Sequence, residues 1–213
     1  MTIRGKSTDG LVSRLINRRI STRITKIILK YNLGITPNQV SIISFLLSIL
    51  SFPLYLFNQN ILAGILVQIS SIIDGVDGEL ARALNMASKF GAFFDAILDR
   101  IADITIIFGM TLNLIYYSDL MNLNLIYICL GALSGCLMVS YLHSKSKENL
   151  GVHPALIGSI PMFASRDVRL FIIFIGSILG FIFESLIIIF MITYLYSISK
   201  FIELIYIFKS KQL

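Results

Sequence analysis

Four carboxylates set in apolar sequence limit what this chain can become more than any other feature. They lie in the stretch DGVDGELARALNMASKFGAFFDAILD, as Asp74 with Asp77 and Asp95 with Asp99. Members of each pair are three or four residues apart, so on a helix they share a face. A charged side chain at the centre of a bilayer costs about 2.5–3.5 kcal/mol on insertion scales, so four together require a compensating cation. The short turn expected between the two carrying helices makes them antiparallel neighbours. The four carboxylates then converge on one small volume.

Composition identifies the setting as a membrane. Hydrophobic residues make up 56% of 213 and charged residues 14%, against about 25% charged in a typical soluble domain. Several apolar runs approach the ~20 residues that span a bilayer as a helix. The expected fold is all-α and integral to the membrane, with six transmembrane helices preceded by an interfacial amphipathic helix. Residues 1–37 are a polar start and that juxtamembrane helix. In it Leu11, Leu15, Ile16, Ile20, Ile24, Ile27 and Ile28 recur among Arg14, Arg18, Arg19, Arg23, Lys26 and Lys30, a pattern suited to the membrane interface. Residues 38–213 are the membrane domain, with helices expected at about 38–57, 61–85, 89–117, 125–144, 166–180 and 181–208. Thr36 and Pro37 supply a cap and a first helical position for the first of them. A polar connection runs from Lys145 to Arg166. The Gly176 to Gly180 region leaves open one long kinked helix in place of the last two. The long, polar and basic N-terminus does not read as a cleavable signal.

The net charge of +6 does not suggest nucleic acid, because the basic residues cluster at the ends of apolar runs. Eight of the 18 precede Thr36, others flank residues 82–100, 145–169 and the C-terminus, and the connections at 58–60, 118–124 and 176–184 contain none. That alternation places both termini and the aspartates on the cytoplasmic side of a multi-pass cell-membrane protein. Cys129 and Cys136 fall within an apolar helix and read as small buried side chains.

Oxygen ligands without His or Cys favour Mg²⁺, Mn²⁺ or Ca²⁺ over zinc. Two ions suit a phosphoryl transfer, where they clamp the attacking and leaving oxygens. Gly75, Gly78 and Ala81 leave one strip of the second helix bare enough for a nucleotide, Gly91 gives the same clearance on the third, and Arg82 is placed to meet a phosphate. A close helix crossing also explains the glycines, but not the aspartates. The nearby cations Arg82, Lys89 and Arg100 are too few to neutralise them. Asp103, one turn further on, reads as structural, and His143 and His153 as interfacial or loop residues. For His143 a contact to an acceptor phosphate is the alternative. Lys145, Lys147, Arg166 and Arg169 bracket the polar connection on the aspartates' side. Arg166 and Arg169 share a face at a helix start, an arrangement that grips phosphate, so the acceptor is expected to be anionic. Topological sorting alone is the competing explanation for these four.

The series Asp74-x-x-Asp77-Gly78-x-x-Ala81-Arg82, then eight residues, then Gly91-x-x-x-Asp95-x-x-x-Asp99 resembles the full signature of the CDP-alcohol phosphotransferase family. The six-helix length and the Thr36-Pro37-Asn38 entry are similar too. The resemblance implies transfer of a phosphoalcohol from a CDP-alcohol to a hydroxyl with release of CMP. It implies Asp74, Asp77 and Asp95 as metal ligands, and Asp99 as the base with metal ligation as a second role. It implies contact to the CDP moiety from Asn38, Asp74, Asp77, Gly78, Ala81, Arg82, Ser88 and Gly91, and a homodimer surrounded by membrane lipid. The phrases DGVDGELAR, TDGLVSRLINRRIS and SRDVRLF resemble a narrower group, the di-myo-inositol-phosphate-phosphate synthases, which join CDP-inositol to inositol 1-phosphate. The alternatives are a phospholipid synthase using CDP-diacylglycerol or CDP-archaeol and, more remotely, an ion pathway, since intramembrane carboxylates also occur in transporters.

Overall fold

A computed structural model describes residues 8–118 and 123–210 of the chain. Among them the regular structure is entirely helical. A π-helical turn at Ser13–Asn17 leads into α1 (Arg18–Lys30), and there follow α2 (Pro37–Leu56), α3 (Asn60–Ala83), α4 (Lys89–Tyr117), α5 (Leu123–Leu150), α6 (Arg166–Leu179) and α7 (Ile182–Ser210). Among the described residues four helices, α2, α3, α5 and α7, are both long and apolar enough to cross a membrane. Of the other two expected spans, α4 is of spanning length but carries Asp95, Asp99, Arg100 and Asp103. The 14 residues of α6 extend only about 21 Å, short of a ~30 Å hydrocarbon core.

Local chemistry sets the helix ends. Thr36 and Gln39 form a reciprocal cap at the start of α2: the Thr36 N–H donates to Gln39 Oε1 at 2.9 Å, and the Gln39 N–H to Thr36 Oγ1 at 3.4 Å. Ser88 Oγ accepts from the Gly91 N–H at 2.9 Å and starts α4. Gly180, at φ 78°, ends α6 in a left-handed conformation that glycine adopts without strain, and the Phe181 N–H returns to the Gly176 carbonyl at 2.8 Å. The region of Gly176 to Gly180 therefore separates two helices. α5 runs to Leu150, six residues beyond the expected Ser144. Lys145 and Glu148 form a 2.7 Å ion pair three residues apart, so residues expected in a connection instead prolong the helix.

Small residues bring the helices together. Ser41, Ser44, Ser48 and Ser51 line the buried face of α2, and Ser44 Oγ donates to the Ser70 carbonyl of α3 at 2.9 Å. Such contacts let backbones approach where lipid supplies no hydrophobic drive. α2 packs on α3 and α4, α6 packs on α3, and α5 packs on α7. At the end far from the aspartates, Tyr55 OH meets Ser177 Oγ at 2.7 Å, and Asn113 Nδ2 donates to the Tyr55 carbonyl at 2.8 Å.

The apolar residues of the π-helical turn and α1 do not form one face. Ile24 and Ile28 pack against Val40, Val76 and Leu80, while Leu15, Ile16, Ile20 and Ile27 stay exposed. Its Ser21 and Thr25 are fully buried, because they meet a buried acid on α3. Glu79 is 0% exposed and accepts from Arg18 Nη1 at 2.6 Å, Ser21 Oγ at 2.7 Å, Thr22 Oγ1 at 3.2 Å and Thr25 Oγ1 at 2.7 Å. A carboxylate without water is tolerated when its oxygens are saturated in this way. Glu79→Ala is expected to lower stability by roughly 3 kcal/mol, the order found when one side of a buried charged pair is removed. It should also open α1 to protease. Thermal unfolding in detergent with limited proteolysis checks this; an unchanged midpoint with α1 still protected would contradict it.

Candidate active site

α3 and α4 do not pack on each other as the short turn suggested; both pack on α2. The aspartates of the C-terminal half of α3 and the first turns of α4 come together where those two segments line one cavity. Asp74, Asp95 and Asp99 each offer an oxygen such that all three lie within 4.8 Å of one another. Asp77 is turned partly aside. Ser41 Oγ of α2 donates to Asp77 Oδ2 at 2.5 Å, and the same carboxyl contacts Asp95. The set is all-oxygen and compact, which fits a hard divalent ion.

A cavity of about 240 Å³ opens over this cluster. Its floor is Ser71, Asp74, Gly75, Asp77 and Gly78 of α3, with Asp95 and Asp99 of α4. One wall is the start of α6, with Met162, Ser165, Arg166 and Asp167, and another is the N-terminal segment from Thr8 to Arg18. The described part of the expected polar start is therefore part of the site; residues 1–7 lie outside the described residues.

The countercharge comes from far along the chain. Arg166 Nη1 lies 2.8 Å from Asp99 Oδ1 and 3.2 Å from Asp74 Oδ1, and its Nε donates to Asp103 Oδ1 at 3.0 Å. Asp103 is 4% exposed and also faces Arg169 at 3.5 Å and Arg100 at 3.7 Å. It is thus a buried anchor for three arginines. Counting only cations close in sequence left Arg166 out.

The other expected site residues divide. Asn38 sits beside Gly91, where an added Cβ would lie 3.4 Å from Asn38 Oδ1 and 3.1 Å from Ser88 Oγ. Ala81 and Arg82 follow one turn along α3 from Gly78. Nη2 of Arg82 is buried and makes no hydrogen bond among the described residues. Gly75 faces Ser21 of α1, whose Oγ would be 3.4 Å from an added Cβ, so its smallness also serves a helix approach. Of the four basic residues assigned to the acceptor, Arg166 lines the cavity. Arg169 is 3% exposed and points to Asp103 behind it. Lys145 is exposed and paired with Glu148; neither it nor the exposed Lys147 lines the cavity. His143 Nε2 meets Tyr196 OH at 2.8 Å and its ring lies 4.9 Å from that of His153, so its partners belong to the loop and α7. Cys129 and Cys136 are buried free thiols. Glu79, Asp9 and Asp167 were not singled out from sequence; only the x position of Glu79 inside the signature hinted at any of them.

A guanidinium at these distances competes with any other cation for the same oxygens. Two unit charges 4 Å apart interact by about 4 kcal/mol at an effective dielectric of 20. Arg166→Gln should therefore tighten Mn²⁺ binding several-fold, read by titration calorimetry or by the signal of free Mn²⁺. Unchanged or weaker binding would show that the arginine does not contend with the ion.

The sequence model of the CDP-alcohol phosphatidyltransferase family matches residues 34–200. A bifunctional IPC transferase and DIPP synthase of Thermococcus kodakarensis is 46% identical over 133 residues, covering 62% of this chain and 29% of the relative. An archaetidylinositol phosphate synthase of Pyrococcus horikoshii is 43% identical over 148 residues, covering 69% of this chain and 71% of the relative. The chain matches 29% and 39% of the length of two bifunctional relatives, from Thermococcus kodakarensis and Aquifex aeolicus. The crystal structure of Mycobacterium tuberculosis phosphatidylinositol phosphate synthase with CDP-DAG bound shares the fold, with a TM-score of 0.70 at 22% identity, covering 87% of this chain and 93% of that one. The same relative has also been solved in complex with manganese and citrate, at a TM-score of 0.71 and 21% identity, covering 85% of this chain and 87% of that one.

Proposed function

Because the chain belongs to the CDP-alcohol phosphatidyltransferase family, we propose that it transfers a phosphoalcohol from a CDP-alcohol to a hydroxyl of a polyol phosphate and releases CMP. The observation that carries this reading is the convergence of Asp74, Asp95 and Asp99 beneath a cavity whose α6 wall presents Arg166. The acceptor oxygen attacks the β-phosphorus, the bond from that phosphorus to the bridging oxygen breaks, and CMP leaves with the electron pair. The proton of the attacking hydroxyl goes to Asp99, the member of the cluster on the Arg166 side. Mg²⁺ or Mn²⁺ held by Asp74, Asp77, Asp95 and Asp99, as two ions, would offset the negative charge on the phosphate oxygens. The manganese complex of the Mycobacterium tuberculosis relative supports that choice of metal. Arg82, with a buried donor lacking a partner among the described residues, receives the CDP phosphate together with the bare strip at Gly78. Asn38, Ala81, Ser88 and Gly91 shape that side.

For substrates we propose CDP-inositol and inositol 1-phosphate, giving di-myo-inositol phosphate phosphate, supported by the similarity to the bifunctional DIPP synthases. A second reading has its own observation. The archaetidylinositol phosphate synthase of Pyrococcus horikoshii is matched over 71% of its length, which favours CDP-archaeol as donor to the same acceptor. Arg166 receives the acceptor phosphate with Arg169 held behind it, and Lys145 and Lys147 add attraction at the cavity's approach. α4 and α6 complete six crossings, α1 lies in the interface with its exposed isoleucines toward lipid, both termini and the site are cytoplasmic, and the protein works as a homodimer. The lysine and arginine distribution supports the orientation.

Purified protein given inositol 1-phosphate, Mg²⁺ and either CDP-inositol or CDP-archaeol should release CMP with one donor in strong preference. No release with either donor overturns the reading. Asp99→Asn should lower turnover by a thousandfold or more while CMP still binds, and activity within tenfold of the unmodified protein would remove Asp99 as the base. Arg166→Ala should raise KM for the phosphorylated acceptor about 10–100-fold, the equivalent of one charged hydrogen bond of about 1.5–3 kcal/mol. A normal KM would leave Arg166 as a countercharge alone.

A further inference from the structure

The family match begins at residue 34, yet one wall of the cavity is built ahead of it. Thr8, Asp9, Gly10, Ser13 and Arg18 all line the cavity. This segment is fixed at both ends. The Ser13 N–H donates to Asp167 Oδ2 at 2.6 Å, which seats the first turn of the N-terminal helix on the first turn of α6. Arg18 grips Asp9 through Nε and Nη2, each at 2.9 Å, and holds Glu79 through Nη1 at 2.6 Å. Between these anchors Gly10 is buried. A Cβ there would come within 2.6 Å of Asp167 Cγ and collide with Ser165 Oγ, so the close approach of strap and α6 requires glycine.

Two different walls therefore border one cavity, with the charge of Asp9 already met by Arg18. Arg166 stands on the α6 wall, and Asp9, with the hydroxyls of Thr8 and Ser13, stands on the strap. A phosphate is drawn to the Arg166 guanidinium, whereas Arg18, the strap's cation lining the cavity, is already paired with Asp9 and Glu79. The hydroxyls of a polyol are donors that a carboxylate accepts from in several directions. A site built to hydrogen-bond hydroxyl groups discriminates strongly against an analogue that lacks them.

We propose that residues 8–18 form the acceptor-selecting wall of the active site, with Asp9 reading the ring hydroxyls of a polyol phosphate whose phosphate lies at Arg166. This rests on the reading given under Proposed function. Selectivity among acceptors would then be carried by a segment outside the shared family region, while the chemistry stays with the aspartates.

The test compares inositol 1-phosphate with glycerol 3-phosphate as acceptors for the unmodified chain, Asp9→Asn, Asp9→Ala and Gly10→Ala. Mn²⁺ affinity and CMP affinity report that the aspartate site is intact. The Asp9 variants should lose about 10–100-fold in kcat/KM for inositol 1-phosphate, mainly through KM. They should change little for glycerol 3-phosphate and keep Mn²⁺ and CMP binding. Gly10→Ala, which displaces the strap without touching a reacting group, should shift the ratio the same way. An equal loss with both acceptors means a structural role and overturns the proposal, as does an unchanged ratio. If the unmodified chain does not prefer inositol 1-phosphate, the functional reading fails and this proposal with it. If it does and the Asp9 variants keep that preference, this proposal alone fails.

Discussion

Mutual repulsion among clustered carboxylates governs this structure. Asp74, Asp95 and Asp99 bring oxygens within 4.8 Å of one another, and Asp77 adjoins them. Such an arrangement persists only beside positive charge. Arg166 supplies it from α6, at 2.8 Å from Asp99 and 3.2 Å from Asp74. That places a short helix with only 14 residues against α3 and gives its first turn a defined position. Asp103 then holds Arg166, Arg169 and Arg100 from below, so the arginines that answer the cluster are themselves answered. The set is held by charge more than by hydrogen bonds: Asp103 Oδ2, Arg100 Nε, and Nε and Nη1 of Arg169 are buried without a hydrogen-bond partner among the described residues.

The same logic explains why a helix rich in lysine and arginine packs onto the membrane domain. Glu79 lies two residues beyond Asp77 and points away from the cluster, toward α1. Four donors from α1 saturate it. This contact brings the N-terminal segment across the cavity, where Gly10 and Ser13 meet the start of α6. Site geometry and fold stability therefore share residues: Arg18 is both a partner of the buried acid and a lining residue. In the function we propose, donor chemistry and acceptor choice are divided between walls, with the nucleotide side on the shared signature and the acceptor side between α6 and the strap.

Much of this was legible in the chain. The Thr36-Pro37 cap and the start of α4 at Lys89 follow from residues that act on their immediate neighbours, while the break at Gly180, left open by the sequence, needed its left-handed conformation. Pair spacing put Asp74 with Asp77 and Asp95 with Asp99; the convergence was expected from direct packing of their two helices, whereas α2 packs on both. The contacts that could not be read span long separations. Nothing near Arg166 in sequence shows that it reaches Asp74, or that Ser41 binds Asp77. The isoleucine pattern of α1 suggested a single apolar face, because period alone does not reveal that Glu79 would bury Ser21 and Thr25. α5 overran its expected end because the Lys145–Glu148 pair supports a helix that composition alone assigned to a connection.

The account depends on the aspartates holding a metal against which a CDP-alcohol is placed. Mn²⁺ bound to the protein and studied by electron–nuclear double resonance tests this directly. The prediction is a bound-ion spectrum that gains phosphorus coupling when the CDP-alcohol is added, and that disappears when Asp74, Asp77, Asp95 and Asp99 are all changed to Asn. A bound ion whose spectrum survives that change, or shows no phosphorus coupling with nucleotide present, would contradict it.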